Sequence, residues 1–147
     1  MPITADRYHD ISVGHRVFGQ GGKCEHLHGH NYRIHFSISA DNQLDPLDDV
    51  GRVLDFSVIK EKLCMWLEEH WDHKFLIWED DPFRRALLDL DPKGVVWTPF
   101  NPTAENMAEY LCLVVAPMRL QGTGCQLTAC TIEETRKCSA TYMIDEF

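Results

Sequence analysis

The sequence predicts an α+β fold with the element order β-β-α-α-β-β. Three observations carry that expectation. Tyr32, Ile34, Phe36 and Ile38 alternate with Arg33, His35, Ser37 and Ser39, the period of a strand with one buried face. Two longer stretches, near 56–71 and 103–118, carry apolar residues at helical spacing. Behind the Gly122-Thr123-Gly124 break, two strand-like runs close the chain. Together they place two main helices on one face of a four-stranded antiparallel sheet. With 147 residues, 44% of them apolar, residues 1–147 are expected to form one domain with a sizeable core.

The elements follow in order. Residues 6–18 read as the first strand, with Ile11, Val13 and His15 on one face. Gln20-Gly21-Gly22-Lys23 makes a flexible turn, and the alternating run around Tyr32 is the second strand. A polar loop over 40–51 turns at Asp45-Pro46. Asp55 then caps a helix whose stripe is Phe56, Ile59, Leu63, Trp66 and Leu67. Residues 74–101 read as irregular. Asp81-Pro82 opens a short helix through Leu90, with Pro82 in its first position, and 95–97 is a short strand. So long a connection points to a lid or an intersubunit segment. Thr103 caps the second main helix, Glu105 suits its positive end, and Met107, Leu111, Val114, Val115 and Met118 form its buried stripe, with Pro117 at the exit. The last two strands are expected at 125–134 and 138–145, with Arg136-Lys137 in the turn and Glu134 ending the first of them. The uncovered sheet face and edges invite burial by oligomerisation.

Composition narrows the function. Fourteen basic residues against 23 acidic ones give a formal net charge of −9, a poor surface for nucleic acid or anionic membrane. A phosphorylated substrate would need a local basic pocket, for which Lys23, Arg16 and Lys74 are candidates. No apolar run approaches membrane-spanning length, and the N-terminus has no signal-peptide pattern, so a cytoplasmic protein is expected. The six cysteines show no disulfide framework and are expected to be free thiols, with Cys64 and Cys112 in the core.

The chemistry concentrates in Cys24-Glu25-His26-Leu27-His28-Gly29-His30. On a strand, His28 and His30 leave the same face, and Gly29 permits close approach. A catalytic zinc takes three protein ligands and keeps one open position. His15, ending the first strand, is the best candidate for the third ligand, with Cys24 beside the metal. A polar loop, or a structural zinc site that uses Cys24 as a ligand, remains an alternative. Asp72-His73, just beyond a helix, is either a site-facing pair or two solvated side chains.

These residues resemble the 6-pyruvoyl-tetrahydropterin synthase / 6-carboxytetrahydropterin synthase family over nearly the whole chain. His15 matches the histidine that ends the family's first strand. Residues 24–30 match its Cys-x3-His-Gly-His motif, and Asp72-His73 with Leu76 matches its Asp-His-x-x-Leu-Asn segment. Pro102-Thr103-Ala104-Glu105-Asn106 matches the start of its second helix. Glu134-Thr135, followed by Tyr142, matches its late Glu-Thr. The resemblance implies the tunnelling fold, a homohexamer of two trimers with active sites between subunits, and Zn2+ held by His15, His28 and His30. It also implies a reduced pterin substrate, typically 7,8-dihydroneopterin triphosphate. Cys24 would move protons, with His73 oriented by Asp72 as its relay partner. Glu134 would anchor the amino-pyrimidine edge and join the relay, and Thr103 and Glu105 would also touch substrate.

The expected product is 6-carboxy-5,6,7,8-tetrahydropterin, for 7-deazaguanine (queuosine) synthesis. 6-Pyruvoyl-tetrahydropterin is an alternative. A second alternative is side-chain cleavage to 6-hydroxymethyl-dihydropterin for folate, with Glu25 as the catalytic group. The sequence departs from the family pattern in three places. Ile77 stands where asparagine is usual, Ser12-Val13-Gly14 precedes His15 where Ala-Ala is usual, and Glu25 directly follows Cys24.

Overall fold

A computed structural model describes residues 3–144. Its sheet has six strands, β1 (Ala5–His15), β2 (His28–Ala40), β3 (Phe75–Trp78), β4 (Val95–Thr98), β5 (Cys125–Glu133) and β6 (Ser139–Met143). They lie in the order β4-β3-β1-β2-β5-β6. The four strands expected from sequence form the antiparallel part, β1-β2-β5-β6. The expected sheet was too small. β3 and β4 extend it beyond β1, and both pair in parallel. The reason β3 escapes a search for alternation is its sequence, Phe75-Leu76-Ile77-Trp78. Leu76 and Ile77 are both fully buried. A strand covered on both faces shows a continuous apolar run with no period. Ile77, at the family's asparagine position, therefore belongs to the sheet core.

Helix α1 occupies residues 56–70, as Phe56–Ile59, a π-helical turn Lys60–Cys64, and Met65–His70. The Asp55 side chain caps it by accepting from the Ser57 amide. The short helix α2 is Arg84–Leu90, so it starts later than Asp81-Pro82 suggested. Asp81 Oδ1 accepts from the Phe83 amide at 2.8 Å and holds a turn ahead of the helix. Helix α3 occupies residues 104–119, capped by Thr103 Oγ1, which accepts from the Asn106 amide at 3.1 Å. It too contains a π-helical turn, Leu111–Val115. That wider turn re-phases the helix. Leu111, Cys112, Val115 and Ala116 face the core, whereas Val114 and Met118, expected in the buried stripe, are exposed. Phe56 is exposed as well.

α1 packs on β1, and α3 packs on β5 and β6. Between them lie Ile11 and Val13 of β1, Tyr32, Ile34, Phe36 and Ile38 of β2, and Leu127, Cys130 and Ile132 of β5. The residues that alternate with these are polar and pair across the other face: Asp10 with Arg33, Ser12 with Asn31, His35 with Glu133, and Thr131 with Thr141. The expected final strand ended at 145, which lies outside the described residues. Among the described residues all six cysteines are free, and no helix is long and apolar enough to cross a membrane.

Candidate active site

The site sits where β1 ends and β2 begins. In that antiparallel pair His15 lies opposite His28, and His30 follows two residues on. All three imidazoles leave the same face. Their candidate ligand atoms lie within 4.8 Å of one another, and their ring centroids are 4.6–5.3 Å apart. Gly14 and Gly29 face each other between them. A Cβ on Gly29 would come within 2.9 Å of the Val13 carbonyl oxygen, which is backbone and cannot swing away. Gly29→Ala is therefore expected to part the strands, to cost about 1–3 kcal/mol and to weaken metal binding. A thermal melt with and without added metal checks it.

Local partners prepare the rings for a cation. His15 is buried, and its Nδ1 donates to the Pro102 carbonyl at 2.6 Å, which leaves Nε2 free. His28 Nδ1 donates to the His26 carbonyl at 2.7 Å, with the same consequence. Burial pushes the His15 pKa down to about 4; the Pro102 carbonyl opposes the shift, and the neighbouring His28 and His30 reinforce it. Burial also lowers the His30 pKa, against the pull of Glu134. Neutral imidazoles are what a metal ion requires. His30 Nε2 is buried and has no hydrogen-bond partner among the described residues. It lies 3.2 Å from Glu134 Oε1, off hydrogen-bond geometry. An orphaned nitrogen beside two free ones fits a metal ion, whose bonding would satisfy all three.

The Tyr32 hydroxyl packs beneath the site, 3.2 and 3.3 Å from the two His15 ring nitrogens. Burial, then the nearby Glu134 and Cys24, raise its pKa, so it stays a neutral phenol. The Cys24 carbonyl accepts from the Val17 amide at 2.7 Å, which ties its turn to the chain two residues beyond His15. Cys24 occupies a 3-10 turn, Lys23–Glu25, and is half-buried. Its sulfur is outside the three-residue donor cluster. The Glu25 carboxylate turns back into its own loop, accepting from the Gly21 amide at 2.7 Å. Glu134 leaves the end of β5 toward His30. Thr103 spends its hydroxyl on the helix cap, and Glu105 lies exposed in the first turn of α3.

Asp72 and His73 lie at the edge of β1. Asp72 Oδ1 accepts from the Ser12 amide at 2.9 Å, and Oδ2 is 2.9 Å from His73 Nδ1. Burial would raise the Asp72 pKa, but the Ser12 amide and His73 outweigh it and hold the carboxyl low. His73 has φ 60°, unusual for a residue with a side chain, and its ring is exposed. It borders a cavity of about 570 Å³ lined by Ser12, Asn31, Arg33, Glu133 and Arg136. Those side chains alternate with the histidine-bearing positions, so the cavity opens on the opposite sheet face. His73 also borders a second cavity of about 460 Å³ together with Gly14, Gly29 and His30, so it reaches the strand ends that carry the histidines. Three features had no sequence signal: the Pro102 carbonyl, the Tyr32 hydroxyl, and the burial of Arg16. Arg16 was a candidate phosphate contact, but it is paired with Asp81, and Lys74 donates to the Lys93 carbonyl.

The family model described as 6-pyruvoyl tetrahydropterin synthase matches residues 4–145. The chain belongs to this family. Among relatives of this 6-pyruvoyl tetrahydropterin synthase family member, the 6-carboxy-5,6,7,8-tetrahydropterin synthase of Rickettsia felis is 30% identical over 137 residues, covering 92% of this chain and 96% of that protein. A probable 6-carboxy-5,6,7,8-tetrahydropterin synthase of Halobacterium salinarum is 36% identical over 112 residues, 76% of this chain and 68% of that one. The Caenorhabditis elegans 6-pyruvoyl tetrahydropterin synthase structure aligns with a TM-score of 0.69 at 25% identity, over 99% of this chain and 97% of that chain. An uncharacterized Wolinella succinogenes protein shares the fold at a TM-score of 0.82 and 22% identity, over 99% of both chains.

Proposed function

We propose that this member of the family is a zinc-dependent lyase that converts 7,8-dihydroneopterin triphosphate to 6-carboxy-5,6,7,8-tetrahydropterin, on the route to 7-deazaguanine. The observation that carries this reading is the convergence of His15, His28 and His30, with Cys24 outside the donor set and tied through its carbonyl to the Val17 amide, two residues beyond His15. A donor set of three histidines without a fourth protein ligand supports a catalytic rather than a structural zinc. The printed names of the curated relatives support the carboxy-forming product.

Zinc held by His15, His28 and His30 would supply Lewis acidity toward oxygen atoms of the pterin side chain. The remaining roles belong to the chain itself. Cys24, as thiolate, takes a proton from the side-chain carbon and returns it. Asp72 accepts from His73 Nδ1 and fixes the tautomer, which leaves Nε2 to exchange protons. The His73 ring is exposed at the surface, where Asp72 and His73 would serve Cys24 of a neighbouring copy in a homo-oligomer, a hexamer of two trimers. Glu134 accepts from the amino-pyrimidine edge of the pterin, and Thr103 and Glu105 border the same substrate. We place the whole chain, residues 1–147, as one such domain in the reducing cytoplasm, where its thiols stay free. The Glu25-dependent cleavage to 6-hydroxymethyl-dihydropterin is disfavoured by the bond from Glu25 to the Gly21 amide.

The test is incubation of zinc-loaded protein with 7,8-dihydroneopterin triphosphate and identification of products by mass spectrometry. 6-Carboxytetrahydropterin with acetaldehyde is the expected outcome. 6-Pyruvoyl-tetrahydropterin or 6-hydroxymethyl-dihydropterin as the main product would reassign the reaction.

A further inference from the structure

The loop that carries Cys24 is exposed over residues 18–23, with glycines of positive φ at 19 and 21. It is held by short bonds of its own, such as Gly21 N–H to Glu25, and by Asn101, which bonds both backbone groups of Phe18. An exposed turn of this kind depends on such tertiary contacts for its position. The buried restraint comes from Arg16, the residue after the first histidine. Its Nε donates to Asp81 Oδ2 at 2.6 Å, with both side chains buried, 6% and 0% exposed. Its Nη1 donates to the Glu25 carbonyl at 3.0 Å. Its guanidinium carbon lies 3.9 Å from the centre of the Phe83 ring. From the other side, the Val17 amide donates to the Cys24 carbonyl at 2.7 Å. The peptide groups at 24 and 25 are thus clamped by two successive residues that follow His15.

Asp81 is itself fixed. Its second oxygen, Oδ1, takes the Phe83 amide, so Asp81 has both oxygens engaged. Asp81 and Phe83 belong to the turn between β3 and α2, inside the segment that the sequence marked as a lid or intersubunit piece. A buried ion pair contributes little net stability, because desolvation offsets the Coulomb attraction. What this pair supplies is geometry, and the loop it holds is the one bearing Cys24.

We propose that Arg16, anchored by Asp81 and stacked on Phe83, is a positioning residue that sets Cys24 against the His15–His28–His30 cluster. The proposal rests on the reading of Cys24 as the proton-transfer group. A planar guanidinium reaches Asp81, the Glu25 carbonyl and the Phe83 face at once. A lysine ammonium can keep the charge pair but not all three.

The experiment compares wild type, Arg16→Lys and Phe83→Leu as zinc-loaded full chains. Phe83 is 49% exposed, so its substitution leaves the fold standing even if Arg16→Lys does not. Each protein is treated with iodoacetamide at one fixed pH, and alkylation of Cys24 is followed by peptide mass spectrometry. The exposed Cys138 serves as the internal control. Turnover and zinc content are measured in parallel. Arg16→Lys is expected to speed Cys24 alkylation about threefold or more relative to Cys138, and to lower kcat about tenfold to a hundredfold, with KM within about twofold and zinc retained. Phe83→Leu should shift both in the same direction by about twofold or more. Unchanged Cys24 alkylation and kcat in either folded variant would overturn the proposal, as would loss of zinc in step with kcat. Cys24→Ala separates the two ideas. If it retains turnover while Arg16→Lys and Phe83→Leu still speed alkylation of Cys24, the proton-transfer reading fails and the clamp stands.

Discussion

His15→Ala should remove metal binding and turnover together, with the apparent metal affinity falling by more than about 100-fold. That figure is typical of losing an outer hydrogen bond to a ligand, so loss of the ligand itself sets a larger effect. His15 has the strongest claim of the three rings. It is 1% exposed, its tautomer is held by the Pro102 carbonyl, and its burial keeps it neutral. Removing it leaves two imidazoles that cannot complete a three-ligand site, and leaves the Pro102 carbonyl without its donor. The latter costs about 1–3 kcal/mol of stability. The measurement is metal content after dialysis, with a melt to confirm a folded chain. His26→Ala is the matched control. The exposed His26 contributes backbone groups, its carbonyl to His28 and its amide to the Lys23 carbonyl, which alanine keeps, so this variant should bind metal like wild type. Equal loss in both variants would mean that the cluster is not the binding site.

The parts legible in the sequence were those with a strong period or a side-chain signature. β2 alternates cleanly, Asp55 and Thr103 cap where expected, and the three histidines meet because strand geometry puts His28 and His30 on one face, with His15 directly opposite. What escaped has a common cause. β3 is buried on both faces and so carries no alternation. The π-helical turn in α3 breaks the helical phase after several correct positions, which is why Met107 and Leu111 are buried and Val114 and Met118 are not. Arg16 looked like a surface cation because nothing nearby in sequence announces Asp81, 65 residues away. The cavity that His73 shares with His30 is likewise a tertiary fact, since 43 residues separate them in the chain.

Cys24→Ala should lower kcat by about 10³-fold while zinc stays near one per chain. A positioned acid–base group commonly supplies 10²–10⁴ of rate; in the 24–30 stretch the Glu25 carboxylate is bonded to the Gly21 amide and His26 is exposed, which leaves the half-buried Cys24 thiol for that role. Metal retention follows from geometry, since the donor atoms that converge are those of His15, His28 and His30, without the Cys24 sulfur. Glu25→Gln provides the opposing arm. Its amide oxygen can still accept from the Gly21 N–H, so the loop should hold and kcat should change by less than about threefold. The paired outcome discriminates three chemistries. Loss of turnover in Cys24→Ala with zinc retained fits proton transfer by the thiol. Loss of zinc together with turnover would make the sulfur a ligand and the site structural. Loss of turnover in Glu25→Gln alone would shift the proton transfer to the carboxylate and, with it, the expected product to 6-hydroxymethyl-dihydropterin.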